Sequence, residues 1–587
     1  MAGIIGIINK KKFNSIPDSK SDGHINEKIS FHDIYLERKT LPKFLNDKVF
    51  FETDQHVFLI EGIIFNISDL KIKYKQNDWH ETLIVMVKLD NRTFFNEFRG
   101  SFSGFYYDKI EKQALIFADH IGVKPLYYYE HSGEVLFASS INKMLEILLK
   151  NNFEYKMDLK GAYSLLTHGY MIEDLTPFEG LKRLKPGCYI SIKNNEFIVK
   201  RYHRFTNEPD YKLNDDEIID KLDMLFRQAV LRQTEKNKEY GFRDITQLSA
   251  GLDSRMTTWV ASELGHDVLS ITYSQSNFLD EIIPKKISTK LKINWLFKTL
   301  DNGLSLMYLD EIVKRNSGVV LYGGPAQVWD SFNLLDKNSL GVIHTGIHGN
   351  TVAGQFYQKL IVGRKHSIGD GAYSKFLVEK LNIVLSDYEM EDYNNREIFT
   401  IYNRGFNGAN MGTPLTLQEF AESYSPYYDV DFAQFILTIP LEKRWNYYIY
   451  DKWVIKKYPD AAKYPHNERM MSWNKEKNYH LFGKDFTISQ LFNHALKMGQ
   501  LKVGLKKKSI ETPFHMNPFD YWYATNSELK KYMDNYFGEY AYKVDDEMLR
   551  KDVIELYQKG NVVEKTQVLT LLAILKNYYF SNDWLNN

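Results

Sequence analysis

One ten-residue stretch, 245–254, combines the residue types that a phosphate-binding turn requires. Its sequence, Ile-Thr-Gln-Leu-Ser-Ala-Gly-Leu-Asp-Ser, runs from an apolar strand into small residues. A helix with apolar residues at Met256, Val260 and Leu264 follows and ends at Gly265. Backbone N–H groups at a helix start lack carbonyl partners, and the helix dipole adds positive potential there. The turn is therefore predicted to bind phosphate.

Asp253 lies in this turn but carries the same sign of charge as a phosphate, so direct phosphate contact is not its expected role. Carboxylate oxygens are the ligands that Mg²⁺ prefers, and Mg²⁺ travels with nucleotide phosphates. We therefore predict that Asp253 is a ligand of Mg²⁺. An ordinary strand–helix turn without a ligand is the alternative that this stretch alone leaves open.

Residues 249–254, Ser-Ala-Gly-Leu-Asp-Ser, resemble the pyrophosphate loop of the ATP-pyrophosphatase superfamily, whose pattern is Ser-Gly-Gly-x-Asp-Ser. One glycine of the pattern is Ala250 here, and Arg255 follows the motif where relatives often have serine. The resemblance implies that ATP is bound by this loop. The predicted nucleotide-binding residues of the loop are Leu248, Ser249, Ala250, Gly251, Leu252, Asp253 and Ser254.

The composition bounds the class of protein. With 587 residues the chain is too long for one core, so two or more domains are expected. It has 75 basic and 75 acidic residues, and this balance gives no electrostatic reason to expect nucleic acid as a partner. The single cysteine, Cys188, excludes an internal disulfide and a cysteine-based metal cluster. Without a signal-like N-terminus or a long apolar run, we expect no membrane span and a cytoplasmic location.

Residues 1–204 are predicted to form a β-rich domain, and residues 205–587 a second domain. Short apolar runs broken by Gly, Asp or Ser-Gly are typical of stacked antiparallel sheets. The polar stretch 204–216 predicts the linker, and a helix is expected at about 216–232. The predicted strands of the first domain are 2–8, 57–65, 104–107, 114–118 and 135–138.

Three segments of the first domain resemble the glutaminase domain of glutamine-hydrolysing asparagine synthetases. Residues 119–127 resemble its Arg-Asp-x-x-Gly-x-x-Pro-Leu-Tyr segment, residues 137–140 its Phe-Ala-Ser-Glu, and residues 180–187 its Gly-Ile-x-x-Leu-x-Pro-Gly end. The resemblance implies an N-terminal α+β domain, an Ntn-hydrolase-like αββα sandwich. It further implies an α/β second domain, an ATP-pyrophosphatase-type (adenine nucleotide α-hydrolase-like) doubly wound parallel sheet with a helical C-terminal part.

The residues that hydrolyse glutamine in that family have no counterparts here. The family's N-terminal cysteine, whose α-amine is the base for its own thiol, corresponds to Ala2, which has no nucleophile. The family's Asn-Gly-Glu becomes Glu61, Gly62 and Ile63. An engineered cysteine-to-alanine change would explain Ala2 alone, not the other losses. Cys188 follows a Pro-Gly turn and is expected to be a packed thiol. We predict a degenerate glutaminase domain.

In the second domain, residues 268–274 predict the next parallel strand. Because the carboxyl ends of parallel strands meet at one edge, Thr272, Tyr273 and Ser274 are expected to border the nucleotide. Asp280 and Glu281 follow. We interpret this pair as helix N-terminal charges, and a counterpart of the family's acidic residue at this point is the alternative.

Residues 341–351 predict another strand and loop, which resemble the family's Ser-Gly-Glu-Gly-x-Asp-Glu wall of the pyrophosphate site. Thr345 and Gly346 fit this pattern and are predicted to bind ATP. Asn350 replaces the aspartate that would bind Mg²⁺, and its carbonyl can still reach the ion without supplying charge. Ile347 replaces the family's glutamate, or the tyrosine of β-lactam-forming relatives.

The sequence offers further candidates for catalytic residues, with weaker support from their surrounding motifs. His348, in this loop, is a candidate acid–base residue, whereas His344 is expected to be packed in the sheet. The resemblance implies a lysine that neutralises charge on phosphorus, and Lys475 and Lys477 are the candidates. Residues 404–408 are polar and glycine-bearing, and they predict a loop that either faces the site or is a structural turn.

Together these motifs imply an ATP-dependent amide-bond-forming ligase with ATP and Mg²⁺ as cofactors. A substrate carboxylate would be adenylated with release of pyrophosphate, and an amine would attack the acyl adenylate. The expected partners are a small-molecule or peptide carboxylate and an amine, and a homodimer or a pathway partner stays open. Two alternatives remain: a catalytically impaired binding or regulatory protein, and ammonia-dependent amidation of an asparagine-type or sugar-acid substrate.

Overall fold

A computed structural model of the chain describes residues 2–11, 13, 15–17, 23–90, 92–356, 363–466, 471, 478–481, 484–487 and 511–580. Within these residues, no helix has both the length and the apolarity that crossing a membrane requires.

Two six-stranded antiparallel sheets form the N-terminal part. The strands are β1 (Gly3–Ile8), β2 (Ile25–Phe31), β3 (Ile34–Thr40), β4 (Val49–Glu52), β5 (His56–Ile64), β6 (Gly100–Asp108), β7 (Gln113–Ala118), β8 (Tyr127–His131), β9 (Glu134–Ala138), β10 (Lys182–Arg183), β11 (Cys188–Lys193) and β12 (Glu196–Arg201). The first sheet has the order β10-β8-β9-β1-β3-β2, and the second has the order β12-β11-β7-β6-β5-β4.

The two sheets pack face to face, and helices cover both outer faces. Side chains such as Leu36 of the first sheet and Phe105 of the second share one buried core. Helices α1 (Ile67–Tyr74) and α2 (Trp79–Leu89) pack on the second sheet, and α3 (Ile141–Lys150) and α4 (Leu159–His168) on the first. Strand β5 is buried at every position because both of its faces are covered. The predicted αββα sandwich is confirmed.

The apolar runs in the sequence correctly predicted β1, β5, β6, β7 and β9, whereas the other strands of these sheets were not predicted. Strand β3 is entirely buried although it carries Glu37, Arg38 and Lys39. Its charges have partners: the Glu37 carboxylate accepts from Tyr35, and Arg38 pairs with Glu27. A strand of paired charges has no apolar alternation, so periodicity could not find it.

A five-stranded parallel sheet organises the C-terminal part. Its strands are β13 (Arg243–Gln247), β14 (Val268–Ser274), β15 (Asn294–Thr299), β16 (Leu340–His344) and β17 (Glu422–Tyr424). Their order is β15-β14-β13-β16-β17, and every neighbouring pair is parallel. The chain moves outward on one side of β13 as far as β15 and then returns to its other side. The predicted doubly wound sheet is therefore confirmed.

Helices cover both faces of this sheet. On one face, α5 (Asp215–Glu239), α6 (Leu252–Glu263) and α7 (Leu279–Leu291) share a core. On the other, α8 (Leu309–Asn316) and α9 (Gly323–Phe332) pack with Ile245 and Ile343. Asn214 caps α5 in a capping box with Glu217, which explains why the helix starts directly after the irregular linker.

The remaining C-terminal part is helical, as predicted. Residues 404–408, predicted as a loop, lie instead in a π-helix, Ile401–Ala409. The α-helices are α10 (Val378–Val384), α11 (Arg396–Thr400), α12 (Asn410–Leu417), α13 (Val430–Thr438), α14 (Leu441–Arg444), α15 (Tyr448–Lys457), α16 (Pro459–Ala462), α17 (Phe519–Thr525), α18 (Ser527–Tyr540), α19 (Glu547–Lys559) and α20 (Val562–Leu575), and a hairpin is formed by β18 (Asn478–Leu481) and β19 (Lys484–Thr487).

Buried ion pairs join the N-terminal and C-terminal parts. Lys124 follows β7 and contacts Glu422 on β17, with 2.6 Å between Nζ and Oε1. Lys236 on α5 contacts Asp47, with 3.0 Å between Nζ and Oδ1. Charges buried in this way are costly to separate, so the two parts pack as one unit.

Candidate functional site

Two loops meet at the carboxyl edge of the parallel sheet, where β13 and β16 end side by side. We call residues 248–254 and 345–350 the two-loop site. A Cβ added to Gly346 would lie 2.4 Å from the Ser254 amide nitrogen, and one added to Gly349 would lie 2.3 Å from Cγ of Asp253. Only glycine permits this approach, so the second loop packs directly on the start of α6. The strand order reverses here, which is where ligands bind in such sheets.

Side chains hold the first loop in shape. Ser254 Oγ accepts a hydrogen bond from the Ser249 amide at 2.9 Å, and Ser249 Oγ accepts one from the Gly251 amide at 3.1 Å. Asp280 Oδ1 accepts one from the Ala250 amide at 2.9 Å. Three loop amides thus have side-chain partners. The donors left at the helix start belong to residues 252–254, where helix geometry provides no carbonyl.

Asp280 stands in the first turn of α7, as the interpretation of a helix N-terminal charge requires. The structure adds what the sequence pattern could not show: its side chain is buried and reaches the first loop. Burial raises the pKa of Asp280, and the hydrogen bond from Ala250 opposes that shift. Asp280 therefore contributes both a negative charge and a hydrogen-bond acceptor to the loop.

Asp253 lies between the two loops and is partly exposed. Its Oδ1 accepts a hydrogen bond from the Tyr450 hydroxyl at 3.0 Å. Burial raises the pKa of Asp253 to about 7, and the Tyr450 hydrogen bond lowers it. The Tyr427 hydroxyl lies 2.6 Å from that of Tyr450. The sequence analysis missed Tyr450, since α15 lies far along the chain and carries no local motif.

Arg255, which departs from the family pattern, is fully buried and ties the first loop to a distant segment. Its guanidinium donates to the carbonyls of Ala250 at 2.9 Å, Tyr464 at 2.9 Å and Pro465 at 2.7 Å. It also donates to Ala461 at 3.2 Å. Burial lowers the pKa of Arg255 to about 10, so it stays protonated at neutral pH.

The end of β14 supports the first loop from the side. Thr272 Oγ1 donates to the Leu248 carbonyl at 2.7 Å and accepts from the Trp295 indole at 2.9 Å. Ser274 Oγ donates to the Gln275 carbonyl. These two hydroxyls therefore have hydrogen-bond partners within the protein, and their place beside the nucleotide stays a prediction. Tyr273 is partly exposed at the same edge, and burial raises the pKa of its phenol.

The second loop begins at Thr345, whose carbonyl accepts from Thr257 Oγ1 at 3.3 Å. Asn350 lies in a short 3₁₀ turn, Gly349–Thr351, and its side chain is partly exposed. It directly follows the glycine that packs on the Asp253 carboxylate. The loop therefore approaches Asp253 through Gly349, and the role of Asn350 at the cation stays a prediction.

The two histidines of this segment have different surroundings. His344 is buried in β16, with Nε2 at 2.8 Å from Asp244 Oδ1, which is the packed position expected for it. His348 packs among the rings of Phe356, Phe406 and Tyr428, with centroid distances of 5.3–5.5 Å. Burial lowers the pKa of His348 to about 3. The ring contacts describe a packed position, and the acid–base role of His348 stays a prediction.

The described residues fit Mg²⁺ that arrives with a nucleotide. No group of three or more His, Cys, Asp or Glu side chains in the described part of the chain could hold a metal ion by itself. Mg²⁺ bound with phosphates needs only one or two carboxylates. Asp253 offers one, and Asn350, next to Gly349 in the second loop, is the candidate for an added amide oxygen. Lys475 and Lys477 lie outside the described residues.

The positions that correspond to the family's glutaminase residues are occupied by packed side chains and an internal ion pair. Ala2 is buried beside β1. Glu61 is fully buried on β5, with Oε1 at 2.9 Å from Thr40 Oγ1 and 3.2 Å from Lys48 Nζ. Ile63 packs in a core that includes residues of the C-terminal part. Cys188 is buried, and burial raises the pKa of its thiol to about 11, so it is not a nucleophilic thiolate.

Comparisons with known proteins show which sequences this chain is similar to. A family model described as a glutamine amidotransferase domain matches residues 47–203. The chain is similar to asparagine synthetase (glutamine-hydrolyzing) 3 of Bacillus subtilis, with 26% identity over 229 residues, 37% of this chain and 35% of the relative. It is also similar to a putative asparagine synthetase (glutamine-hydrolyzing) of Mycobacterium bovis, with 22% identity over 233 residues, 38% of this chain and 35% of the relative.

Another curated relative has a similar identity and coverage. Amidase chry2 of Gibberella zeae is 24% identical over 194 residues, 33% of this chain and 28% of the relative. The chain thus spans about a third of the length of these curated relatives. A solved glutamine phosphoribosylpyrophosphate amidotransferase of Bacillus subtilis, complexed with ADP and GMP, aligns over 71% of this chain and 96% of that chain, with 9% identity and a TM-score of 0.23. The sequence matches make the chain similar, at low identity, to glutamine-hydrolysing asparagine synthetases.

Proposed function

We propose that this asparagine synthetase-like chain is an ATP-dependent ligase that forms amide bonds by adenylating a substrate carboxylate. The observation that carries the proposal is the two-loop site, where Asp253 in the first turn of α6 packs against Gly349. Residues 1–204 and 205–587 are proposed as its two domains. The carboxylate and the amine belong to small molecules or to a peptide.

The proposed roles follow from charge and position. The amides at the start of α6 face the site with the positive end of the helix dipole, which suits the phosphates of ATP. Asp253 and Asn350 would hold Mg²⁺, which neutralises phosphate charge when it is bound. Attack of the substrate carboxylate on the α-phosphorus forms the acyl adenylate and releases pyrophosphate. Attack of the amine on the acyl carbon then forms the amide and releases AMP.

We further propose that the chain does not hydrolyse glutamine. Ala2 provides no nucleophile, and the Glu61 carboxylate is paired with Lys48 inside the fold. The amine therefore comes from solution as ammonia, from the substrate itself or from a second molecule. Glutamate release by the wild-type protein, measured against a heat-denatured sample, would contradict this part of the proposal. Ala2→Cys alone should not create the activity.

The decisive experiment is ATP–pyrophosphate exchange with a panel of carboxylates, run on the wild type and on Asp253→Asn. We expect exchange that depends on one class of carboxylate and is lost in Asp253→Asn. Asp267→Asn is the matched control, because Asp267 precedes β14 at the opposite edge of the sheet and its side chain is 78% exposed. Equal exchange in Asp253→Asn and the control would exclude the proposed site.

A second candidate function, a binding or regulatory protein without turnover, is favoured by one observation. The amides of Ser249, Ala250 and Gly251 already have side-chain acceptors, so fewer donors are left for phosphates. Such a protein should bind ATP, if at all, without releasing pyrophosphate for any carboxylate or amine. Pyrophosphate release that requires both substrates would exclude it.

A further inference from the structure

We propose that Tyr450, supported by Tyr427, is the positioning residue that orients the Asp253 carboxylate toward a nucleotide-bound cation. This inference rests on the proposed function of the two-loop site. It concerns two buried tyrosines from the C-terminal helices, which no sequence motif had connected with the first loop.

The two hydroxyls form a chain of hydrogen bonds that ends on Asp253. Tyr450 donates to Asp253 Oδ1 at 3.0 Å. Tyr427 lies 2.6 Å from the Tyr450 oxygen and 3.2 Å from the Asp253 main-chain carbonyl. Each phenol has one proton. When Tyr450 donates its hydrogen bond to an ionised Asp253, its oxygen can accept one from Tyr427, whose single proton then goes to Tyr450 at 2.6 Å and not to the Asp253 carbonyl at 3.2 Å. Hydrogen bonds in such a chain strengthen one another.

Packing keeps both phenols in place. Tyr450 stacks on Trp453 with 5.6 Å between ring centroids, and Tyr427 packs against Phe226 at 4.9 Å. Both tyrosines are fully buried. Tyr450 is on α15, and Tyr427 is in the turn Pro426–Tyr428, so two separate elements fix the pair. The hydroxyl that contacts Asp253 therefore has a defined position before any ligand binds.

The second loop also packs on the Asp253 carboxylate. A Cβ on Gly349 would lie 2.6 Å from Asp253 Oδ1. Tyr450 and Gly349 together restrict the rotation of the carboxylate. An ionised carboxylate offers about four lone-pair sites, and Tyr450 occupies one of them on Oδ1. The remaining sites are available to a cation, and outer hydrogen bonds of this kind tune metal affinity.

Tyr450→Phe is a clean test because the ring and its stacking remain while only the hydroxyl is lost. Tyr448→Phe is the matched control: Tyr448 is on the same helix, and its hydroxyl donates to the Asp215 carboxylate at 2.8 Å. Both variants therefore lose one tyrosine–aspartate hydrogen bond. Only the first loses one at the two-loop site.

The experiment is calorimetric titration of Mg²⁺ into protein saturated with a non-hydrolysable ATP analogue, with thermal unfolding measured in parallel. We expect the Mg²⁺ midpoint of Tyr450→Phe to rise about tenfold, as loss of a charge-assisted bond implies. Tyr427→Phe should give a smaller shift in the same direction. Tyr448→Phe should bind like the wild type.

The outcomes separate this inference from the proposed function. If Asp253→Asn loses Mg²⁺-dependent binding while Tyr450→Phe and Tyr448→Phe bind equally, the positioning role is overturned and the site stands. If Asp253→Asn also binds like the wild type, the proposed site itself fails. A Tyr450→Phe variant that loses thermal stability but keeps the wild-type Mg²⁺ midpoint would show a purely structural role, which also overturns the inference.

Discussion

Restoring the missing carboxylate at position 350 is the most informative perturbation of the two-loop site. Asn350→Asp would place a second negative charge in the second loop, directly after Gly349, which packs on the Asp253 carboxylate. If the two carboxylates lie on the order of 5–8 Å apart, their repulsion at an effective dielectric constant of about 20 is roughly 2–3 kcal/mol.

Partial exposure of Asn350 reduces this repulsion by screening, so about 1–3 kcal/mol is expected. Without a cation, the variant should be less stable than the wild type by that amount. With Mg²⁺, the same charge becomes a ligand, and the Mg²⁺ midpoint should fall about tenfold to a hundredfold. The opposite signs of the two effects distinguish a metal-site charge from a general change in stability.

The assay is a Mg²⁺ titration of pyrophosphate release, paired with urea unfolding in the presence and absence of Mg²⁺ and an ATP analogue. Asn338→Asp is the control, since Asn338 is exposed and precedes β16 at the opposite edge of the sheet. If Asn350→Asp changes neither the Mg²⁺ midpoint nor the stability without Mg²⁺, Asn350 does not face Asp253. In a protein without turnover, the stability effect should appear alone.

Three further predictions concern the loop and the contact between the two parts. Asp280→Asn should raise the affinity for Mg²⁺-free ATP several-fold, because it removes a buried negative charge beside the first loop while its amide oxygen still accepts from the Ala250 amide. Equal affinity of the variant and the wild type in equilibrium dialysis would contradict this. Arg255→Lys should lower the free energy of unfolding in urea by about 2–4 kcal/mol, since an ammonium cannot serve the four carbonyls that the guanidinium spans, and an unchanged unfolding midpoint would refute it. Lys124→Met should lower the free energy of unfolding by about 3–5 kcal/mol, because Glu422 is left buried without its partner. The Lys124→Met/Glu422→Met double variant should recover most of this stability. Equal losses of stability in the single and double variants would argue against the ion pair as the cause.

Local sequence patterns were sufficient to predict the elements whose own residues show a strand or helix periodicity. The first loop was recognisable because an apolar strand, small residues and a helical period follow one another within about twenty residues. Strand β14 matches its predicted range, 268–274, for the same reason. Strand β3 and the π-helix Ile401–Ala409 were not predictable, since buried charges hide the first and a backbone register change defines the second.

The composition of the two-loop site was decided only by tertiary structure. Sequence alone determined that residues 245–254 run from a strand through a turn into a helix, that Ala2 lacks a nucleophile and that Asn350 lacks a charge. Tyr450 reaches Asp253 from 197 positions away, and Asp280 reaches the first loop only because β13 and β14 are parallel neighbours. Propensity and periodicity act over a few residues, whereas burial and strand order bring together side chains that share no local pattern.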